Sequence, residues 1–250
     1  MRTASAPIIS ATNVDKTFVP GGPRVLDSVS FDVEPGEFVC LLGGSGCGKS
    51  TLLNLIAGID LPTGGTLMLP GDGAAMMFQD SALMPWLSAR HNVELALRLR
   101  GVPKRDRRAI ADELLDMVHL SAAADRRPHE LSGGMRQRVA LARALAQERS
   151  VLLMDEPFAA LDAITRDSLH SELERVWKET GRTIVFVTHN VREAMRLGDR
   201  ILLMAPTPGG VVAEWRIDID RPRAADDPRV VSTTAEITDR LRKEMGHERH

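Results

Sequence analysis

The segment Gly43–Thr51, GGSGCGKST, constrains this chain more than any other stretch. It fits the pattern G-x-x-x-x-G-K-[ST] through Gly43, Gly48, Lys49 and Ser50. Before it runs the continuous apolar segment Phe38–Leu42 (FVCLL). After it comes a helical pattern, Lys49–Ala57, that carries Leu52, Leu53, Leu55 and Ile56 and stops at Gly58. Three further runs read like the first: Val151–Met154 (VLLM), Ile184–Val187 (IVFV) and Ile201–Met204 (ILLM). Strands that are apolar throughout, rather than alternating, are covered on both faces. The expected fold is therefore α/β, with a mostly parallel sheet under helices.

The chemistry of the loop follows from its residue types. Glycines let backbone N–H groups turn toward a polyphosphate, and the following helix adds its positive N-terminal end. Lys49 can reach the β- and γ-phosphates, and the Ser50 hydroxyl can ligate Mg²⁺. Gly44, Ser45, Gly46, Cys47 and Thr51 complete the cradle, with Cys47 read as a neutral filler rather than a reactive thiol. Nucleoside triphosphate binding is the direct expectation.

A second site element ends the VLLM run, which continues into Asp155 and Glu156. Asp155 is placed to hold the magnesium, directly or through water. Glu156, beside it, is the candidate general base for the attacking water, and Pro157 fixes the direction in which it leaves the strand. A third element, Thr188–His189, follows IVFV; a lone histidine at a strand end is most often structural.

Elsewhere, VDKTF and VLDSVSFDVE, separated by the turn-rich VPGGP, read as short antiparallel strands. Residues 88–147 are mostly helical, and their arginines interleave with Asp106, Asp112, Glu113 and Asp116 as a solvated face does. The composition shifts after Ile219, where an appended helix is expected. The 32 basic and 34 acidic side chains leave a charge of −2, without the basic excess of a nucleic-acid binder. No apolar run approaches the roughly 18–20 residues needed to span a bilayer. The start, MRTASAPIIS, lacks the apolar core of a signal peptide, and Cys40 and Cys47 make no disulfide framework. A soluble, cytosolic protein is expected.

At Leu131–Gln137 the chain reads LSGGMRQ. Together with the phosphate loop, VLLMDEP and VTH, this resembles the ATPase subunits of ABC transporters, in that family's order over roughly residues 8–215. The resemblance implies a P-loop NTPase of ABC type at residues 1–218, with an N-terminal antiparallel β subdomain and a helical subdomain at roughly 82–147, followed by a 219–250 extension. It implies that Gln79, in MMFQD, contacts magnesium and senses a membrane partner. Ser132, Gly133 and Gly134 would press on the γ-phosphate of ATP held by a second copy or a paralogue. Asp162, in ALD, would lie at that dimer interface, and His189 would contact the γ-phosphate. Six Phe and three Trp accompany no Tyr. The family commonly stacks adenine on an aromatic residue some twenty-five positions before the phosphate loop, where this chain has Phe18. The competing reading leaves Phe18 packed on the core.

The segment after Gln79, DSALMPWLSARHNVELALRLRG, and the continuation DEPFAALDAITR look like the ATPases of nitrate, sulfonate and taurine importers. In that group Leu83, Met84, Pro85 and Trp86 would face a permease, whereas composition alone puts Met84 and Trp86 in the core. Met135 stands where Gln is commonest, Ala159 where Gly or Ser is usual, and Gly64–Gln79 is short, as if a hairpin were trimmed. The implied protein hydrolyses ATP with Mg²⁺ at the cytoplasmic face of the membrane. It powers a permease fed by a periplasmic or surface solute-binding protein. The alternatives are a soluble ABC ATPase and an exporter-type one.

Overall fold

The structure is a computed structural model that describes residues 6–205 and 208–246. The elements run β1 (Ile9–Thr17), β2 (Arg24–Val33), β3 (Phe38–Leu42), α1 (Lys49–Ile56), β4 (Gly64–Met68) and β5 (Ala74–Met77). Next come α2 (Ala89–Leu99), α3 (Lys104–Met117), α4 (Gly133–Leu145), β6 (Val151–Asp155) and α5 (Ala163–Thr180). The chain closes with β7 (Thr183–Thr188), α6 (Val191–Leu197), β8 (Arg200–Met204), β9 (Val211–Arg216) and α7 (Pro228–Gly246). They form two compact units, Met1–Gly73 with Arg182–His250, and Ala74–Gly181.

In the first unit β1 pairs antiparallel with both β2 and β4, which makes the expected N-terminal antiparallel sheet. The connection from β4 to β5 is only residues 69–73, so no further hairpin intervenes. A second group of strands places β3 between β7 and β8, all parallel, with β9 antiparallel at the edge. Every residue of β3, β7 and β8 is buried, as the apolar runs FVCLL, IVFV and ILLM within them require. Arg200, which opens β8, is buried in ion pairs with Glu37 (3.2 Å) and Glu214 (2.8 Å). The rings of Phe38 and Phe186 meet across β3 and β7 with centroids 6.0 Å apart. Helix α6 lies against β3 and β7, and α7 packs on α6. Each fully buried Leu, Ile or Phe here contributes about 1.5–3 kcal/mol. In register, Leu42 stands opposite Thr188 and Leu203, so the three parallel strands end together. Residues just past those ends share one edge, where open α/β sheets bind ligands.

The composition shift after Ile219 conceals a fastening. The Arg223 guanidinium donates to the carbonyls of Met195 (2.7 Å) and Gly198 (2.6 Å) at the end of α6. Arg221 pairs with Asp199 at 2.5 Å. Cations at a helix C-terminus satisfy its orphan carbonyls and complement its dipole.

In the second unit β5 pairs parallel with β6, Met77 opposite Met154, and α4 packs against β5 and against α2, α3 and α5. Side chains begin three of the helices. Ser88 accepts from the His91 N–H, Ser132 from that of Met135 and Asp162 from that of Thr165. Gly181, at φ +61°, ends α5 in the left-handed conformation. Among the described residues no helix is long and apolar enough to cross a membrane.

Candidate functional site

The phosphate loop leaves the buried end of β3 and enters α1 at Gly48. Gly48 has φ +90°, and a Cβ there would lie 2.6 Å from Leu26 Cδ2, so both its conformation and its surroundings demand glycine. Helix α1 has no side-chain cap and no acid in its first turn, which leaves its N-terminal N–H groups for an anion. Lys49 is buried, and its ammonium donates to the carbonyls of Gly43 (3.0 Å) and Gly44 (2.6 Å). Phosphate oxygens are stronger, charge-assisted acceptors than these two carbonyls. Ser45, Gly46 and Ser50 are exposed along the same loop, and Thr51 is half-buried behind them. The Cys47 thiol is buried, and burial pushes it up, which keeps it neutral despite Lys49 Nζ at 3.7 Å.

His189 follows Thr188, the residue in register with Leu42, so it leaves the same sheet edge as the phosphate loop. It is exposed, and its backbone is pinned on both sides. The Asn190 N–H donates to Thr188 Oγ1 (2.9 Å), Thr188 Oγ1 donates to Glu193 (2.5 Å), and Asn190 caps α6. Phe18 lies just past β1 and is 61% exposed, so the core reading of this residue does not hold.

In the second unit, Asp155 ends β6 and Glu156 follows it, both half-buried. Glu156 has φ +43°, in the left-handed region that a non-glycine residue seldom occupies, and Pro157 comes next. Such strain persists where surrounding structure over-determines it, and it sets the direction of the carboxylate. In register, Gln79 lies two residues beyond Met77 and Asp155 one beyond Met154, so both leave the same ends of β5 and β6. Gln79, Asp80, Gly133, Arg136 and Leu161 line one cleft. Ser132 is exposed at the start of α4, while Gly134 is buried, and a Cβ on it would come within 2.5 Å of Thr165 Cγ2. Gly134 thus lets α4 and α5 approach. Asp162 is exposed, and the Thr165 N–H and hydroxyl hold its carboxyl below the usual carboxylate range.

Sequence reasoning missed the residues that hold these backbones. Gln137 Nε2 donates to the Gln79 carbonyl (2.9 Å), and Arg143 donates to those of Ser81 and Ala82 (2.7 Å each). Burial lowers the Arg143 pKa, and Ala82 has φ +44°. Asn92, wholly buried, accepts from the Met84 N–H (2.8 Å) and donates to the carbonyls of Met84, Leu87 and Ser88. On this frame Trp86 is 68% exposed, which removes it from the core, while Met84 is half-buried. Gly209 is the remaining omission. A Cβ there would lie 2.2 Å from the Cys47 carbonyl oxygen, so it forms the back wall of the phosphate loop.

The family model described as ABC transporter matches residues 26–159. A taurine import ATP-binding protein of Roseobacter denitrificans is 46% identical over 219 residues, covering 84% of this chain and 82% of that protein. A nitrate import ATP-binding protein of Synechococcus elongatus is 42% identical over 251 residues, 94% of this chain and 92% of its own. Among solved structures, a dimeric ATP-binding cassette in a post-hydrolysis state, bound to ADP and Pi, superposes with a TM-score of 0.72. It is 35% identical, over 85% of this chain and all of its own. With the phosphate loop, the carboxylate pair and the LSGGM helix start in place, this chain is an ATP-binding ATPase of the ABC transporter family.

Proposed function

We propose that this chain is the ATP-hydrolysing subunit of an importer for a small anionic or zwitterionic solute of the sulfonate, taurine or nitrate class. It would work at the cytoplasmic face of the membrane, on a separate permease served by a solute-binding protein. The observation that carries the reading is Trp86. Its indole is 68% exposed, on a loop that the buried Asn92 holds by backbone hydrogen bonds. A rigid tip with Pro85 and Trp86 exposed and Met84 half-buried beneath them is how a chain presents an aromatic anchor to a partner. The taurine and nitrate import relatives support the same assignment.

Within this reading two copies close over two ATP molecules. Ser132 and Gly133 of one meet the γ-phosphate bound by the other, with Asp162 at the interface and Gly134 holding the helix that carries them. Lys49, the loop amides of Gly43–Gly48 and Thr51 hold the nucleotide, and Phe18 stacks on adenine. Ser50, Asp155 and Gln79 would hold Mg²⁺, which would supply positive charge to offset that of the phosphates. Such a set fits Mg²⁺, which takes one or two carboxylates with substrate phosphates and water rather than an all-protein cage. Glu156 takes the proton of the attacking water, and His189 steadies the γ-phosphate.

Trp86→Ala is expected to weaken copurification with the permease by at least about tenfold, a typical loss for a central aromatic anchor. Its melting temperature and basal ATP binding should stay at the parent values. Unaffected assembly would refute the docking role. Lys49→Ala should weaken ATP binding by about tenfold or more, the worth of a charge-assisted bond. An unchanged titration would count against the loop assignment. Solute identity is tested by ATPase stimulation in the reconstituted permease complex, using taurine, an alkanesulfonate and nitrate in turn. Stimulation by none of the three would overturn the solute class.

A further inference from the structure

We propose that Lys16 is the positioning residue for the adenine-stacking ring of Phe18, and that it joins that ring to the phosphate-loop helix. The inference rests on the stacking role proposed for Phe18.

Lys16 and Phe18 are two residues apart and point to the same face of the chain leaving β1. That face is the buried one. Val14 is fully buried and Lys16 only 6% exposed, whereas Phe18 emerges beyond the strand end. A lysine at such a position must have its charge satisfied. Its ammonium donates to Asp60 Oδ1 at 2.6 Å and to the Leu61 carbonyl at 2.8 Å. It also lies 5.1 Å from the centroid of the Phe18 ring, within cation–π range. One ring face is therefore fixed by a cation, and the 61% exposure of Phe18 leaves surface for a base. A cation on one face draws π density toward itself and makes the other face a better partner for an electron-rich purine.

The other end of the link is the phosphate loop. The N–H groups of Ile59 (3.0 Å) and Asp60 (3.3 Å) donate to the Asn54 carbonyl in α1, the helix that begins at Lys49. Asp60 is thus tied to α1, and Lys16 is tied to Asp60. The adenine platform is held in place relative to the helix that receives the phosphates. This preorganisation spares the cost of ordering an exposed ring when the nucleotide binds.

The test is equilibrium binding of ATP and of inorganic tripolyphosphate, which lacks the base, to the full chain. Phe18→Ala should weaken ATP about fivefold, the lower range for loss of one stacked base, and leave tripolyphosphate unchanged. Lys16→Met should show the same ATP-specific loss, and the double variant no more than either alone. Lys16→Arg, which keeps a cation over the ring, should restore most of the affinity. Asp60→Asn, with the lysine intact but its anchor weakened, should show a smaller ATP-specific loss even if Lys16→Met fails to fold. If Phe18→Ala weakens ATP while Lys16→Met and Asp60→Asn do not, the Lys16 role is overturned and stacking stands. Equal loss of ATP and tripolyphosphate in Lys16→Met would make Lys16 a structural staple and overturn the inference. If Phe18→Ala changes nothing, the stacking role falls and takes this inference with it.

Discussion

Glu156→Gln is expected to bind ATP as the parent does and to lose about 10²–10⁴-fold in turnover, the usual worth of a general base. The amide keeps the size of the side chain and its capacity for hydrogen bonds, but it cannot take a proton from water. Glu156 follows directly on the buried strand Val151–Asp155, with φ +43° and Pro157 behind it, so the backbone gives the side chain little freedom to relocate. The substitution removes basicity and leaves position alone. Nucleotide binding, in the proposed site, draws on the phosphate loop and on Lys49, which the change does not alter. Single-turnover phosphate release, read beside an ATP titration, separates the two effects. A variant that hydrolyses ATP normally would refute the general base. Loss of ATP affinity equal to the loss of rate would place Glu156 in binding instead.

The strands around the site were legible to within a residue or so, for a physical reason. Burial on both faces allows no polar interruption, so FVCLL, VLLM, IVFV and ILLM announce themselves. The strand Ala74–Met77 does not, because alanine and methionine prefer helices. It is extended only because Val151–Met154 lies beside it in parallel register. The edge strand Val211–Arg216 alternates half-buried and exposed residues and so lacks the apolar run that marks the others.

The residues proposed to carry the chemistry stand out in the sequence because the reactions proposed for them dictate local sequence: glycines before a lysine, two carboxylates after a strand, a hydroxyl and glycines before a helix. Their supports obey no such rule. Gln137 meets Gln79 across 58 positions of sequence, and Arg143 meets Ser81 across 62. On their helix they read as ordinary polar residues, and only the packing shows that they clamp a loop. Arg221 and Arg223 sit in a segment whose charge and prolines read as a boundary, yet they fasten the end of a helix. Lys16 reads as a surface lysine in a half-buried strand until its ammonium is found between a carboxylate, a carbonyl and an aromatic ring.

Gly209→Ala is the second large effect expected, and nothing in the phosphate-loop motif points to it. Gly209 is bonded into the first unit at both its backbone groups. Its N–H donates to the Val25 carbonyl (2.9 Å) and its carbonyl accepts from the Asp27 N–H (2.9 Å). A Cβ at this position would lie 2.2 Å from the Cys47 carbonyl oxygen, 3.1 Å from the Cys47 carbonyl carbon and 3.0 Å from the Val25 carbonyl oxygen. All three are backbone atoms, so no side chain can swing aside. The phosphate loop must move, because Gly209 is held by its own ladder bonds. Overpacking of this kind costs about 1–3 kcal/mol. Borne by the loop, that is about a fivefold to 150-fold loss of ATP affinity. Gly210→Ala is the control, since its Cβ would come no closer than 3.3 Å to the Asp27 carbonyl oxygen, a contact a slight adjustment relieves. ATP titrations of the two variants, with thermal melts to register folding, decide the matter. A Gly209→Ala protein that binds ATP as the Gly210→Ala protein does would show that the phosphate loop does not depend on this wall.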